Sequence, residues 1–327
     1  MFHLKLRKNF KSNGNKPWAI ALLGACAAFG SLQAQAAEKL TVMLDWFVNP
    51  NHGPIIVAQQ QGYFKQAGLD VEIQEPADPT MPPKLVAAGK VDLAVTYEPN
   101  FVMDLDAGLP LKRAATLIAT PLNTILVLDG SDIHKVADLK GKTIGIAVAG
   151  TEDAMVGTML RDSGLNLSDI KMVNVGWNLS ASLASKQVDA VWGGLRNFEP
   201  NQMDLEGVKV RAFYPEEHGV PSYEELIFVA NQNTQKAKQI QEFNQAMTKA
   251  TQFIVNHPDQ AWKSFVSYNP KTLDTELNKK AWQDTLTRFA LRPSAPDVDG
   301  YKAFADFMYQ NKVIKNAVDT TPYLSVN

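Results

Sequence analysis

The chain has 327 residues, 45% hydrophobic and 20% charged, a balance ordinary for a globular protein. Its 32 basic and 34 acidic residues give a formal net charge of −2, which argues against nucleic acid or an anionic membrane surface as partner. Cys26 is the single cysteine, so an intramolecular disulfide and a thiolate metal site are excluded.

The first element in chain order is a leader. MFHLKLRKNFKSNGNKPW carries Lys5, Arg7, Lys8, Lys11 and Lys16 and no acid, and AIALLGACAAFGSL then supplies an apolar core. That core is shorter than the roughly 20 residues a membrane-spanning helix needs. With AQA at 34–36 as a small-x-small cleavage pattern, residues 1–37 read as a signal peptide that places the mature chain in the periplasm. LGAC at 23–26 resembles a lipoprotein box, but the apolar run continues to Leu32 and ends in the cleavage pattern, which favours a soluble form over one lipidated at Cys26. Removing 1–37 takes away five of the 32 basic residues and none of the 34 acids, leaving 27 against 34, or −7. No later stretch has membrane-spanning length, so the mature chain is expected not to insert.

Strands and helices then alternate, the pattern of α/β layers. KLTVML is a strand, residues 53–68 a helix closed by Gly68, LDVEIQE a strand, PPKLVAAG a short helix and KVDLAVTY a strand reaching Tyr97. After LKRAATLIAT and the strand 124–128, VADLKGKTIGIAV begins a second series, in which GTEDAMVGTMLRDSGL reads as a helix presenting Gly150 and Thr151 at its start. KMVNVG, VDAVWGG, VKVRAFY and ELIFVAN follow as strands; residues 234–257 read as a long helix stopped by Pro258, with further helical segments at 259–282, 283–291 and 298–313. The expected organisation is lobe I over 38–126 and 229–327, and lobe II over 127–228, with crossings near 124–130 and 224–231 acting as a hinge.

In open α/β sheets ligands bind beyond the carboxyl ends of strands. The residues at those places are aromatic and acidic: Asp45 and Trp46, Tyr97 and Glu98, Thr151, Trp192 through Phe198 to Glu199, and Tyr223 and Glu224. Aromatic faces with carboxylates suit a flat, nitrogen-rich ring that carries donors and takes up a proton. A phosphate or sulfonate pocket would call for arginines or a glycine-rich nest, and only Arg196 lies nearby, with the amide end at Thr151 available for one anionic or carbonyl group. Singly, each aromatic is more often core and each carboxylate more often solvated or capping; the case for a site is collective. His52, beside Pro50 and Gly53, is either a cap of helix 53–61 or a ligand contact. Catalysis has little support, since the five histidines show no metal-ligand spacing and neither GxSxG nor a phosphate-binding glycine loop occurs. No metal and no cofactor is expected.

LDWFVNPNHGPIIVAQQQGYFKQAGLDVEI at 44–73, followed by KLVAAGKVDLAVTY at 84–97, resembles the family of thiamine-pyrimidine proteins, over about residues 39–270. The resemblance implies the type II periplasmic binding protein fold, two α/β lobes joined by two hinge strands. One branch consists of exported proteins that deliver pyrimidine precursors of thiamine to an ABC importer. The other is a fungal enzyme that builds the pyrimidine phosphate from its own histidine and pyridoxal phosphate. That enzyme's lysine falls on Thr96, its consumed histidine on Asn100, and its cysteine-rich iron motif on Val220 to Glu224, so all three parts are missing.

The binding branch implies stacking on the pyrimidine and carboxylates on its amino edge. Trp46, Glu199 in GGLRNFE and Tyr223 in PSYEEL come first, then Asp45, Tyr97 and Glu224, with Trp192, Thr151 and His52 as further ligand contacts. The expected protein is a monomeric, non-enzymatic component of an ABC importer that captures formylaminopyrimidine or hydroxymethylpyrimidine and works with a permease and its ATPase. Riboflavin, a sulfonate, taurine or nitrate are alternative ligands on the same scaffold, and a synthase-like enzyme is the alternative of a different class.

Overall fold

The chain folds around two mixed five-stranded sheets, as the computed structural model describes for residues 37–148 and 150–326. The leader 1–37, apart from its last residue, and Cys26 with it lie outside the described residues. In chain order the strands are β1 (Glu38–Met43), β2 (Leu69–Gln74), β3 (Leu93–Thr96), β4 (Leu111–Ile118), β5 (Asn123–Leu128), β6 (Thr143–Ile146), β7 (Lys171–Asn174), β8 (Ala190–Leu195), β9 (Val210–Phe213) and β10 (Leu226–Asn231). The first sheet has the order β2-β1-β3-β10-β4 and the second β7-β6-β8-β5-β9. In each, four strands run in one direction and the fifth, contributed by a crossing segment, runs antiparallel to both its neighbours: β10 against β3 and β4, β5 against β8 and β9.

Burial follows position in the sheet. β3 (LAVT) is buried at all four residues and β10 (LIFVAN) at five of six, the continuous apolar reading of strands covered on both faces. β2 at the edge alternates between buried and exposed over its first four residues. Each crossing strand lies wholly within one sheet, so the chain passes between sheets through residues 119–122 and 214–225.

On one face of the first sheet pack the helices Gly53–Gln60, Ala237–Asn256 and Pro258–Ser267. Helix Ala237–Asn256 buries Ile240, Phe243, Met247, Ala250 and Ile254, a stripe at helical spacing. Gly53 begins its helix against Trp282 and Phe289, where an added Cβ would lie 2.8 Å from the indole. In helix Val298–Gln310, Tyr301 joins the core of the first sheet while Phe304, Ala305 and Met308 join that of the second, so this helix spans both lobes.

Three expected helices are interrupted. Residues 53–68 form two helices, because Gly62 takes a left-handed φ of 70° between Gly53–Gln60 and Tyr63–Gln66. Residues 259–282 are divided between Pro258–Ser267, Pro270–Leu273 and Glu276–Thr285, with prolines opening the first two. Residues 283–291 do not form a helix of their own: after a turn at Leu286–Arg288, Phe289 bridges to Ile118 and Ala290 donates to the Leu117 carbonyl at 3.1 Å. That segment covers the free edge of β4.

Candidate ligand site between the lobes

The loops after β1, β3, β6 and β8 converge on a cavity of about 790 Å³, counted with its open mouth, which lies in the size range of small-molecule sites. Asp45, Trp46 and Tyr97 reach it from the first lobe; Thr151, Trp192 and Glu199 reach it from the second. Five of the six follow the end of a parallel strand, where sheet topology places ligands, and Trp192 lies within β8 itself. Among the lining residues none is lysine or arginine.

Asp45 is buried and held from two sides. Its Oδ1 lies 2.9 Å from His52 Nε2, and its Oδ2 accepts the Tyr97 hydroxyl at 2.9 Å. The Asn49 backbone N–H donates to His52 Nδ1 at 3.2 Å, so Nε2 carries the proton and donates to Asp45. His52 is expected either to cap helix 53–61 or to contact the ligand; its side chain makes no cap bond to helix Gly53–Gln60 and does not line the cavity. It instead accepts the Asn49 N–H that closes the turn Pro50–His52 and orients Asp45. Burial, and then the charge of Asp45, raise the Tyr97 phenol well above its ordinary value, which keeps it a donor.

Glu199 begins the helix Glu199–Leu205, half-buried as a residue, and its Oε2 accepts the Leu195 N–H at 2.6 Å. Burial pushes its carboxyl up to about 7, against the lowering effect of the Leu195 and Glu199 backbone bonds. Asn123 also lines the cavity, and its side-chain amide donates to Glu225. Glu225 further accepts the N–H groups of Leu122 and Asn123 at 2.5 and 3.0 Å, and burial raises it to about 7.

Aromatic contacts cross from one lobe to the other. The Trp46 ring centroid lies 4.0 Å from that of Trp177, at 59°, and Phe47 lies 4.6 Å from Trp177. Beside them the buried Asn197 amide donates at 2.6 Å both to Asn51 Oδ1 and to Thr285 Oγ1, joining the loop after β8 to the first lobe's opening turn and to helix Glu276–Thr285.

Two expected contacts are turned elsewhere. Tyr223 packs in the core of the second lobe, 5.3 Å from the Phe304 ring, and Glu224 faces the buried guanidinium of Arg113 at 3.3 Å. Glu224 also accepts the hydroxyls of Thr116 and Tyr301 at 2.7 and 2.8 Å, so its carboxylate is occupied. Thr151 lines the cavity, but not as a helix start: the helix begins at Met155, and the Gly150 N–H donates to Glu152 Oε2 at 2.6 Å. Arg196 turns outward to Glu216 and the Tyr214 ring. Sequence reasoning missed Trp177, which sits one position after the strand-like KMVNVG, and the asparagines 49, 100 and 123, whose amides carry no periodic signal.

A family model described as "NMT1/THI5 like" matches residues 49–261. A putative thiamine biosynthesis protein of Haemophilus influenzae is 49% identical over 293 residues, covering 90% of this chain and 93% of its own. A formylaminopyrimidine-binding protein of Halalkalibacterium halodurans is 33% identical over 245 residues, 74% of either chain. A Saccharomyces cerevisiae 4-amino-5-hydroxymethyl-2-methylpyrimidine phosphate synthase is 27% identical over 270 residues, 78% of either chain. Among solved structures, the alkanesulfonate-binding protein SsuA of Xanthomonas axonopodis, bound to MOPS, superposes with a TM-score of 0.70 at 20% identity, covering 88% of this chain and 99% of that one. This last likeness shows the fold, the two-lobed α/β architecture of periplasmic binding proteins.

Proposed function

The chain belongs to the NMT1/THI5-like family, and from that membership we propose that its interlobe cavity captures a thiamine pyrimidine precursor, formylaminopyrimidine or hydroxymethylpyrimidine, for an ABC importer. The observation that carries this reading is one cavity lined by the Trp46 indole, by the carboxyls of Asp45 and Glu199, and by no basic side chain. The indole offers a stacking face, and Asp45, fixed by His52 and Tyr97, offers unused lone pairs to an exocyclic amine. Glu199, near neutrality in its proton affinity, shares one proton with a ring nitrogen, as donor when neutral and as acceptor from a protonated ring when charged. Closure of the lobes about the crossings 119–122 and 214–225 then presents one surface to a permease and its ATPase, and the leader places the encounter in the periplasm.

The lack of a lining cation weighs against sulfonate, taurine and nitrate, which need charge neutralisation. Riboflavin, flat but much larger, is the competing ligand of the same kind. The synthase reading is opposed by Thr96 and Asn100, which stand where that branch carries its lysine and histidine.

Calorimetric titration of hydroxymethylpyrimidine from pH 6 to pH 9 tests the proposal. Affinity should fall above pH 7, by up to about tenfold per unit for one shared proton, and Glu199→Gln should remove most of that slope. Equal binding by the variant and the wild type at every pH contradicts the role given to Glu199.

A further inference from the structure

Glu225 ends the crossing 214–225, fully buried, and Asn123 opens β5 just after the crossing 119–122. One carboxylate oxygen, Oε2, accepts the N–H groups of Leu122 and Asn123 at 2.5 and 3.0 Å. The other, Oε1, accepts the side-chain Nδ2 of Asn123. An ionised carboxylate only accepts, so the Asn123 amide has one orientation open to it, with Nδ2 toward Glu225 and Oδ1 turned away. Asn123 lines the main cavity, and its Oδ1 lies 3.9 Å from the point where a side chain on Gly193, another lining residue, would begin. No group among the described residues donates to that oxygen, and the Tyr223 hydroxyl nearby is without a hydrogen bond among them.

An amide oxygen held this way is an acceptor that cannot be exchanged for a donor without breaking the bond to Glu225. After burial, the charges that raise the Tyr97 phenol are those of Asp45 and then Glu225 and Glu199, so the Asp45–Tyr97 and Glu225–Asn123 pairs face one part of the cavity. We propose that Asn123 Oδ1 accepts one N–H of the ligand's exocyclic amine while Asp45 takes the other, and that Glu225 is the positioning residue that sets this preference. The pair selects an amino ring over an oxo ring, whose carbonyl oxygen would meet two acceptors. Asp45 follows a strand of the first sheet and Asn123 opens one of the second, so a single amine joins the two lobes. The inference rests on the aminopyrimidine reading of the cavity and deepens it from a flat nitrogen-rich ring to a pattern of donors.

The test is calorimetry at pH 8, above the value of about 7 to which burial raises Glu225, with 4-amino-5-hydroxymethyl-2-methylpyrimidine and its 4-oxo analogue as probes. Glu225→Gln keeps the shape and the two backbone contacts but sets an NH2 group against Asn123 Nδ2. The Asn123 amide then turns over and presents Nδ2, a donor, to the cavity. The amine should bind this variant about tenfold more weakly than it binds the wild type, and the oxo compound about tenfold more tightly, as one matched hydrogen bond exchanged for a mismatch implies. Loss of both probes by one factor, or no gain by the oxo compound, makes Glu225 a structural residue only and overturns the proposal. Asn123→Ala should weaken the amine about tenfold without weakening the oxo compound; if Glu225→Gln does not fold, an equal effect of Asn123→Ala on both probes overturns the proposal instead. Should the wild type bind neither probe, or prefer the oxo compound, the aminopyrimidine reading itself falls and this inference with it. A wild-type preference for the amine that neither variant alters sinks the role of Asn123 and Glu225 alone.

Discussion

The proton on His52 Nε2, fixed by the Asn49 N–H at Nδ1, makes the imidazole a donor to Asp45 and leaves the acid two occupied positions and a free edge toward the cavity. His52→Ala removes that donor and opens a void in a fully buried position, so urea unfolding should show a loss of about 2–4 kcal/mol. Ligand affinity should fall with it, and His52→Gln should restore part of both. Glu199 carries the complementary prediction. Its pKa rises on folding from the ordinary 4.5 to about 7, so its contribution to stability is complete below about 4.5 and is lost as pH rises through 7. Glu199→Gln should therefore match the wild type's thermal midpoint near pH 5 and exceed it at pH 8, by a free energy on the order of 1–3 kcal/mol. Glu225 shifts in the same direction, so a smaller alkaline loss should persist in the variant.

At the scale of elements, the segment before β10 carries the sharpest difference between sequence and structure. Position after a strand picks out a cavity wall only where the strand runs parallel toward it; β10 enters its sheet antiparallel, and the residues ahead of it are divided among three environments. Tyr223 enters a core, Glu224 meets Arg113, and Glu225, not singled out from the sequence, acts on the cavity through Asn123. Nothing in PSYEEL separates those three directions, because each depends on a partner about 80 to 110 residues distant. Arg113 also holds the carbonyls of Pro293, Ala295 and Leu324 at 3.1, 3.1 and 3.3 Å, so it fastens the carboxyl-terminal segment to β4. Glu224→Ala leaves that buried guanidinium without its charge partner and should cost about 3–5 kcal/mol in unfolding experiments. Because Glu224 lies off the cavity, ligand affinity of the folded variant should stay within about twofold of the wild type.

Across the whole molecule, the alternation of strands and helices and the return of ELIFVAN were legible because burial on both faces of a central strand demands uninterrupted apolar residues. From that topology followed six of the nine expected site residues: Asp45, Trp46, Tyr97, Thr151, Trp192 and Glu199 all line one cavity. The contact of Trp46 with Trp177 was not legible, since it arises from the placement of one lobe on the other. That contact bears on closure. Trp177→Ala should raise the ligand's dissociation rate while leaving association nearly unchanged, as read by stopped-flow fluorescence, because the second indole acts after the ring has landed on Trp46. A competition measured by native mass spectrometry tests whether this cavity takes an aminopyrimidine. Offered equal concentrations of formylaminopyrimidine, hydroxymethylpyrimidine, riboflavin and an alkanesulfonate, the wild-type protein should carry one pyrimidine per chain and Trp46→Ala should carry none. Retention of the flavin or the sulfonate in place of a pyrimidine would contradict the account.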